Sequence, residues 1–304
     1  MKRLKSELIN EIINSKNLES GIDSAKSTIT KYINNIERER FDIKTEKDAK
    51  FYGKQIGRYE LLSIPNYYKL SKSDNNQIIK ILSEILAELL GEVDDNSKIL
   101  VVGLGNRHIS ADSLGTKVIG GINVTFSDSF PKVMAVCPSV LGLTGIETYD
   151  IISGIISKVK PTHLILIDSL CASSSTRLGK SIQLSNTGIC PGSGIGNNRK
   201  CLDKRLVNNV VSIGVPLLIY ASTFVEECLG KFDIDYSRLD SIMQSSKNSE
   251  NKDEINRFCK DIKKCIDEDI DSEIVTIKDI EECVDYLSTI IYKSINISLG
   301  VNFE

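Results

Sequence analysis

Residues 98–115 read KILVVGLGNRHISADSLG, and this stretch decides the fold class. The first five residues are almost wholly apolar, which predicts a strand buried on both faces and therefore paired in parallel. The GLGN that follows ends the strand, because glycine lets the backbone turn and approach its neighbours closely. We therefore expect an α/β fold with candidate functional residues in the loop after this strand.

The same alternation of apolar runs with helical patterns continues across residues 76–230. Further strands are predicted at Val133–Val136, His163–Ile167 and Val210–Tyr220, and helices at Gln77–Leu90 and Ile146–Lys158. This order predicts a mostly parallel sheet flanked by helices. Pro216, within the last strand, indicates a bend or an edge position, since proline cannot donate to a strand ladder.

The chain divides into three predicted parts. These are an N-terminal helical arm, the α/β core and a helical C-terminal segment that packs on the core, with bounds of 1–49, 50–230 and 231–304. RYELLSI, residues 58–64, has the composition of a strand and predicts a small antiparallel extension of the core. Thr276 is the expected N-cap of the last helix, with an acidic first turn after it.

Composition and charge exclude several classes of protein. The net charge is -3 and the pI is near 5.7, with no basic stripe, so a nucleic-acid partner is disfavoured. A run of about 18 uninterrupted apolar residues is absent, so no membrane span is expected. The N-terminus lacks the apolar core of a secretory signal, and we expect a cytoplasmic protein.

Cysteine and histidine usage bears on metals and redox chemistry. The eight cysteines include no C-x-x-C pair, and we interpret them as reduced thiols in a reducing cytosol. The only histidines are His108 and His163, which cannot form a histidine-rich metal site. We expect no metal and no cofactor, and we interpret His163, at a strand start, as structural.

Two aspartates follow predicted strands. Asp168 comes directly after HLILI, and Asp112 lies in the loop after KILVV. In an open parallel sheet the carboxyl ends of the strands share one edge, where ligands bind. Burial raises the pKa of such carboxyls, and a close pair can share one proton, activate water and protonate a leaving amine. The structural alternative is that each aspartate caps the helix that follows it.

Three loops are candidates for substrate contact. In the first, the G-x-G of residues 103–105 is too incomplete for a dinucleotide fingerprint, and His108 is a candidate to orient a group. PGSGIGNNRK, residues 191–200, can wrap a substrate backbone or an anion, although its composition also suits a solvated turn. In LGLTGIET, residues 141–148, Thr144 and Glu147 have the spacing of a capping box, which explains both structurally.

Several blocks, taken in order, resemble the germination proteases of spore-forming bacteria. They are GKQIGRYELL, ILVVGLGNRHISADSLG, LGLTGIETYDII, ILIDSLCASSSTRLGKSIQLSNTGI, PGSGIGNNRK and IGVP. Together they span roughly residues 50–220. An ordered set of blocks is far more specific than any single loop.

The resemblance implies an atypical endopeptidase that degrades small acid-soluble spore proteins in the developing spore compartment. It implies a fold similar to that of the hydrogenase-maturation proteases, with a phosphorylase-like core. It also implies synthesis as a zymogen and assembly as a homotetramer. It matches the family's two catalytic aspartates to Asp112 and Asp168. The supporting or substrate-binding residues expected from these blocks are Asn106, His108, Glu147, Arg177, Gly192, Ser193, Gly194, Asn197 and Arg199.

The chain departs from the family pattern at four other positions. Cys190 stands where the family has His, Asn186 and Tyr220 stand where it has Asp, and Ser173 stands for an Arg. These changes keep open the alternative of a catalytically silent member acting as a binding or assembly subunit. The zymogen segment R-T-D-L-A-x-E has only a faint match at Ile22–Ala25, yet we expect an N-terminal arm to cover the site.

Overall fold

The computed structural model describes residues 6–20, 27–65, 67–125, 131–190, 200–230, 257, 260–261, 264, 270 and 273–301. The strands are β1 (Ser27–Lys31), β2 (Glu37–Ile43), β3 (Gly57–Ser63), β4 (Lys98–Gly103), β5 (Lys132–Val136), β6 (His163–Ala172), β7 (Ser181–Ser185), β8 (Gly188–Ile189), β9 (Leu202–Asp203), β10 (Asn209–Tyr220) and β11 (Ile274–Val275). The helices are α1 (Ile9–Ser20), α2 (Glu46–Tyr52), α3 (Lys72–Leu90), α4 (Leu114–Gly120), α5 (Leu141–Thr144), α6 (Thr148–Val159), α7 (Ala221–Gly230) and α8 (Ile280–Ser298).

One large sheet organises the chain, with strand order β1-β2-β3-β7-β10-β6-β4-β5 and β11 added to β10. The strands β10, β6, β4 and β5 pair in parallel. The strands β1, β2, β3 and β7 pair antiparallel in that order, and β7 pairs antiparallel with β10, so the sheet is mixed. The predicted α/β fold, with a parallel core and an antiparallel extension, is confirmed. A separate two-stranded ribbon is formed by β8 and β9.

Helices cover both faces of the parallel half of the sheet. Ile165 and Ile167 of β6 lie in the larger apolar cluster, with side chains of α3, α4 and α8. Leu164 and Leu166 face the other way, into a second cluster with Ile152 of α6. Because alternate residues of β6 are buried on opposite faces, its sequence is a continuous apolar run rather than an alternation.

β10 is a single strand in the centre of the sheet. The predicted bend at Pro216 is confirmed by a register shift between Pro216 and Leu218, but the predicted edge position is wrong. At such an irregularity the ladder is interrupted, so a residue without a backbone N–H can stand within a central strand. The carbonyl oxygen of Pro216 still accepts a hydrogen bond from Gly179 N at 2.8 Å.

The two ends of the chain need correction. Helix α1 is present, but residues 27–43, placed by sequence in a helical arm, contribute β1 and β2 to the sheet. Thr276 does not cap the last helix, because its hydroxyl donates to the carbonyl of Leu217 at 2.7 Å. Helix α8 instead begins at Ile280, with Asp279 at the N-cap position. As predicted, α8 packs on the core, against α3 and α4.

A buried ion network joins the antiparallel extension to α3. The carboxylate of Glu60 on β3 is fully buried and accepts from Arg38 Nε at 3.0 Å and Arg38 Nη2 at 3.1 Å. Arg58 contacts Glu60 as well, and both arginines reach Glu88 on α3. Hydrogen bonding to Glu60 outweighs burial and raises the pKa of Arg38 above its ordinary value. Glu60 is therefore held in place by two cations.

We predict that Glu60→Ala destabilises the protein strongly, because it leaves two arginines without their buried partner. The free energy of unfolding, measured by urea titration, should fall by about 3–5 kcal/mol. The matched control is Asp42→Ala on the neighbouring strand, whose pair with Arg40 at 3.1 Å is partly exposed, unlike the buried Glu60. That control should cost about 1 kcal/mol or less. Equal effects of the two substitutions would contradict a structural role for the network.

Candidate active site

Two glycines bring the start of α4 against the end of β4. A Cβ atom on Gly103 would lie 2.2 Å from the carbonyl oxygen of Gly115, and a Cβ on Gly115 would lie 2.3 Å from that of Leu104. Such distances do not occur between real atoms, so both positions require glycine. This contact folds the loop between β4 and α4 back onto the carboxyl end of β4.

Asp112 lies in this loop, in the short turn Ser110–Asp112. Its Oδ2 accepts a hydrogen bond from the backbone N of Asn106 at 2.9 Å. Gly105, at φ 103°, lies so close that a Cβ there would be 2.1 Å from the backbone oxygen of Asp112. The G-x-G of the loop therefore positions a carboxylate and does not serve as a nucleotide motif.

Asp168 does not end its strand as predicted, since β6 continues to Ala172. The neighbouring strand β4 ends first: Gly103 pairs with Ile167, and Leu104 N donates to Ile167 O at 2.8 Å. Asp168 is thus the first residue of β6 beyond the β4 ladder, while it still pairs with Gly214 on the other side. The shorter neighbour opens a corner in the sheet, and both candidate aspartates lie at that corner.

The two carboxylates interact electrostatically. Burial first, and then the negative charges of Glu7 and Asp112, raise the pKa of Asp168 well above its ordinary value, while a hydrogen bond from Ser169 N opposes them. Burial also raises the pKa of Asp112 to about 6, against the hydrogen bond from Asn106. Both groups are therefore shifted toward the protonated form, Asp112 by burial and Asp168 by burial and the neighbouring negative charges.

Glu7 is a third carboxylate at this site, and it was not among the residues predicted from the sequence. Its segment runs beside the end of β6: Glu7 N donates to Cys171 O and Cys171 N donates to Glu7 Oε2, both at 2.9 Å. The carbonyl oxygen of Glu7 accepts from Lys54 Nζ at 3.0 Å and from Gln183 Nε2 at 3.3 Å. Burial lowers the pKa of Lys54, and the charge of Glu7 opposes that shift.

A sequence signal for Glu7 exists. KSELINE, residues 5–11, reads basic, hydroxyl, acidic, Leu and finally Glu, in the order of R-T-D-L-A-x-E. It fits that pattern better than Ile22–Ala25, of which Ile22, Asp23, Ser24 and Ala25 all lie outside the described residues. The N-terminal segment that reaches the site is therefore residues 6–8, earlier in the chain than the sequence analysis placed it.

A pocket of about 180 Å³, with both polar and apolar lining residues, lies close to Asp168. Its lining includes Glu7, Lys54, Leu170, Gln183 and Gly214. Leu170 shares the face of Asp168, since they are two residues apart on one strand. Gly214 makes room for the Leu170 side chain, because a Cβ there would lie 2.5 Å from it. The pocket can accommodate part of a peptide next to the carboxylates.

Other predicted site residues have local roles. Asn106 Oδ1 accepts from the backbone N of His108 at 3.0 Å, and the exposed His108 ring accepts from Arg107 Nε at 3.3 Å. Arg177, in the turn Ser175–Arg177, interacts electrostatically with Glu39 on β2. The buried His163 contacts Thr162 Oγ1 at 2.8 Å through its Nδ1, consistent with a structural position.

The capping box predicted for residues 144–147 is wrong. Thr144 is the last residue of α5, and Gly145, at φ 69°, ends that single turn. Helix α6 begins only at Thr148, with Glu147 at the N-cap position and no side-chain hydrogen bond from it. Glu147 is exposed there. The predicted substrate contacts Gly192, Ser193, Gly194, Asn197 and Arg199 lie outside the described residues and stay predictions.

The four positions that depart from the family pattern are engaged in structural contacts. Ser173 N donates to Glu11 Oε2 at 2.7 Å, and Asn186 Oδ1 accepts from Arg58 N at 2.9 Å. Tyr220 is buried at the end of β10. Cys190 forms a disulfide with Cys201, so the interpretation of all cysteines as reduced thiols is wrong for this pair. The β8–β9 ladder brings the two together, which a search for C-x-x-C spacing could not find.

Within the described part of the chain, no group of three or more His, Cys, Asp or Glu side chains is arranged to hold a metal ion. In the same residues, no helix combines the length and apolar character needed to cross a bilayer. The described site itself presents carboxylates, with Lys54 and backbone N–H groups beside them.

Comparison with known proteins gives a family match over most of the chain. The family model described as germination protease matches residues 6–276. The germination protease of Clostridium perfringens is 33% identical over 86% of this chain and 83% of its own length, and that of Clostridium acetobutylicum is 34% identical over 93% and 90%. The germination protease of Caldanaerobacter subterraneus is 33% identical over 86% and 83%.

Among solved structures, the crystal structure of a NiFe hydrogenase maturation protease, HycI from Thermococcus kodakarensis KOD1, is similar over 44% of this chain and 80% of its own. The identity is 17% and the TM-score 0.33. The family match begins at Ser6, directly before the segment that reaches Asp168, and includes both candidate aspartates. The chain belongs to the germination protease family, a family of peptidases.

Proposed function

We propose that the protein is an endopeptidase that initiates degradation of small acid-soluble spore proteins during germination, using a water activated by Asp112 and Asp168. The family match and the names of the relatives support a protease role in germination. The observation that carries the mechanism is the electrostatic coupling of two partly buried carboxyls at the open corner of the sheet. We further propose a homotetramer, made as a zymogen, in the cytoplasm of the developing spore.

The proposed reaction divides the pair into a base and an acid. Asp112, with a pKa of about 6, is ionised at neutral pH and takes a proton from water. The water oxygen bonds to the scissile carbonyl carbon. Asp168, whose pKa is higher, donates its proton to the leaving nitrogen as the C–N bond breaks. The proton then returns from Asp112 to Asp168, directly or through solvent, and the two groups titrate as one coupled system.

The surroundings support these roles. The backbone N of Asn106 holds Asp112 in place, so Asn106 is a positioning residue. Glu7 N donates to Cys171 O, and the Glu7 carboxylate accepts from Cys171 N, which supports the proposal that the backbone of β6 beside Asp168 can pair with an added segment. A substrate strand can use the same mode of backbone pairing. Small, unfolded spore proteins suit such a site because they present extended backbone without prior unfolding.

We predict that Asp112→Asn and Asp168→Asn each lower the cleavage rate by roughly 10²–10⁴-fold, the range for loss of a general acid or base. The assay is mass spectrometry of a purified small acid-soluble spore protein after incubation with each variant. The matched control, Asp150→Asn on the exposed surface of α6, should cleave like the wild type. Cleavage that persists in both site variants would exclude this mechanism. A wild type that binds the substrate without cutting it would favour the silent subunit.

The raised pKa of Asp112 also has a consequence for stability. A carboxyl whose folded pKa exceeds its unfolded value stabilises the fold below the unfolded pKa, and that contribution is lost as the pH rises through the folded pKa. For Asp112 the window runs from its ordinary value of 3.8 to about 6. The difference corresponds to about 3 kcal/mol at most. Ionised Asp112 is therefore destabilising at neutral pH.

We predict that Asp112→Asn is more stable than the wild type at pH 7.5, while the two are similar at pH 4. The amide oxygen keeps the hydrogen bond from Asn106 but carries no charge to desolvate. Urea unfolding at the two pH values measures the difference, and Asp150→Asn again serves as the control. A variant that is less stable than the wild type at pH 7.5 would contradict the assignment of a desolvated charge to Asp112.

We predict that Glu7→Gln shifts the alkaline limb of the pH–rate profile to lower pH. The glutamate charge raises the pKa of Asp168, so its removal lets the general acid lose its proton earlier. Glu11→Gln is the matched control, because Glu11 also accepts a backbone N–H of this region, that of Ser173, but is not among the charges acting on Asp168. A limb that moves equally in both variants, or in neither, would rule out this role of Glu7.

A further inference from the structure

The ribbon of β8 and β9 ends in a covalent link. Gly188 pairs with Asp203 and Ile189 pairs with Leu202, so the next facing positions along the ribbon are Cys190 and Cys201. Their Cα atoms are 4.0 Å apart and their sulfurs are bonded. A ribbon with two residue pairs has little stability of its own. The disulfide therefore supplies a large share of what holds the end of this ribbon together.

The base of the ribbon is fixed without the disulfide. The buried Asp203 carboxylate accepts from Arg205 Nη2 at 2.7 Å and from Gln55 Nε2 at 3.1 Å. Leu202 and Ile189 pack in the apolar cluster under α6. These contacts stay when the sulfur–sulfur bond is broken. Loss of the disulfide should thus loosen the end of β8 at Cys190 and leave the fold intact.

Cys190 also lines the pocket beside the candidate active site. The same pocket is lined by Glu7, Lys54 and Gly214, the last of which pairs with Asp168. The disulfide is thus a neighbour of the proposed peptide-binding space. Its oxidation state determines whether this part of the rim is cross-linked to β9 or held by two backbone pairs alone.

The pair is more accessible than the two core cysteines. Cys190 and Cys201 are half-buried, whereas Cys171 and Cys283 are buried in the core. Thiol–disulfide exchange requires a thiolate to reach a sulfur, so accessible disulfides are the labile ones. In a reducing compartment, a disulfide of this kind is typically transient or regulatory rather than structural.

We propose that Cys190 and Cys201 form a reversible thiol–disulfide site that tunes substrate binding at the adjacent pocket, with low-molecular-weight thiols and disulfides as the exchange partners. The regulatory part of this inference rests on the proposed peptidase function. The cross-linked form binds substrate more tightly, since its rim is already ordered before binding. The reduced form must order Cys190 and β8 as the substrate binds.

The exchange reaction balances as follows. One cysteine thiolate attacks a small disulfide, forms a mixed disulfide and releases one small thiolate. The second cysteine thiolate attacks the protein sulfur of the mixed disulfide and releases the second small thiolate, with both cysteine protons passing to the released thiolates or to solvent. The cysteine pair loses two electrons and the small disulfide gains them. Reduction is the reverse.

The first test measures the oxidation state of Cys190 and Cys201 without an activity assay. The full chain is equilibrated with oxidised or reduced glutathione, alkylated, digested and mapped by mass spectrometry. We expect a Cys190–Cys201 cross-linked peptide in the oxidising buffer and two alkylated cysteines in the reducing one. Cys137→Ser, at an exposed free thiol, is the matched control and should leave this result unchanged. Failure to form the cross-link in oxidised glutathione would overturn the proposal.

The second test measures the consequence for substrate. For the wild type, reduction should raise KM for a small acid-soluble spore protein by roughly tenfold with little change in kcat, as loss of preorganisation predicts. Cys190→Ser/Cys201→Ser should show the higher KM in both buffers, and Cys137→Ser should respond like the wild type. Equal KM in the two buffers, with the cross-link formed, would refute the regulatory role.

The two proposals can fail separately. If no cleavage occurs in either buffer, the peptidase function fails, and the redox proposal is then decided by the Kd of fluorescently labelled substrate. A Kd that rises about tenfold on reduction in the wild type, but not in the double variant, would still support the thiol–disulfide site. A Kd that is the same in both buffers would overturn it. Circular dichroism of the double variant checks that its fold is retained.

Discussion

The close contact between Gly103 and Gly115 is the constraint on which the candidate active site depends. Any side chain at either position would overlap backbone atoms, so β4 and α4 can meet only through glycine. This contact folds the intervening loop over the end of β4. Gly105 then lets the backbone of Asp112 pack closely against the start of the loop. The carboxylate is placed by backbone packing, which is stiffer than any arrangement of long side chains.

The difference in length between β6 and β4 positions Asp168, the second aspartate of the site. β6 extends five residues beyond its ladder with β4, from Asp168 to Ala172, and Asp168 is the first of them. One side of Asp168 is therefore open toward Asp112, while its other side pairs with Gly214. Two carboxyls buried at one corner repel each other and resist ionisation, which costs stability. Such a cost is expected at functional sites, where local energetics are set by chemistry rather than by folding.

The elements that the sequence predicts correctly are those whose local composition determines their structure. The apolar runs at residues 98–102 and 163–167 became β4 and β6, because strands buried on both faces leave an uninterrupted apolar signature. The charged segment ERERFDI became β2, since its alternation buries Phe41 and Ile43 while Arg38 pairs with Glu60 on β3. That pairing is long-range and has no local signature. The length of β6 beyond β4 and the Cys190–Cys201 bond likewise depend on which strands become neighbours.

The N-terminal segment connects these features, because its position determines both the charge and the openness of the site. Glu7 is fixed to Cys171 by backbone and side chain, and its carboxylate raises the pKa of Asp168. Its carbonyl also holds Lys54, whose burial in turn lowers the pKa of that amine. A substrate strand that paired with Cys171 would have to displace Glu7. Displacement of Glu7 would remove its negative charge from the neighbourhood of Asp168 as the peptide arrived. Substrate binding and the protonation of Asp168 would therefore be coupled through Glu7.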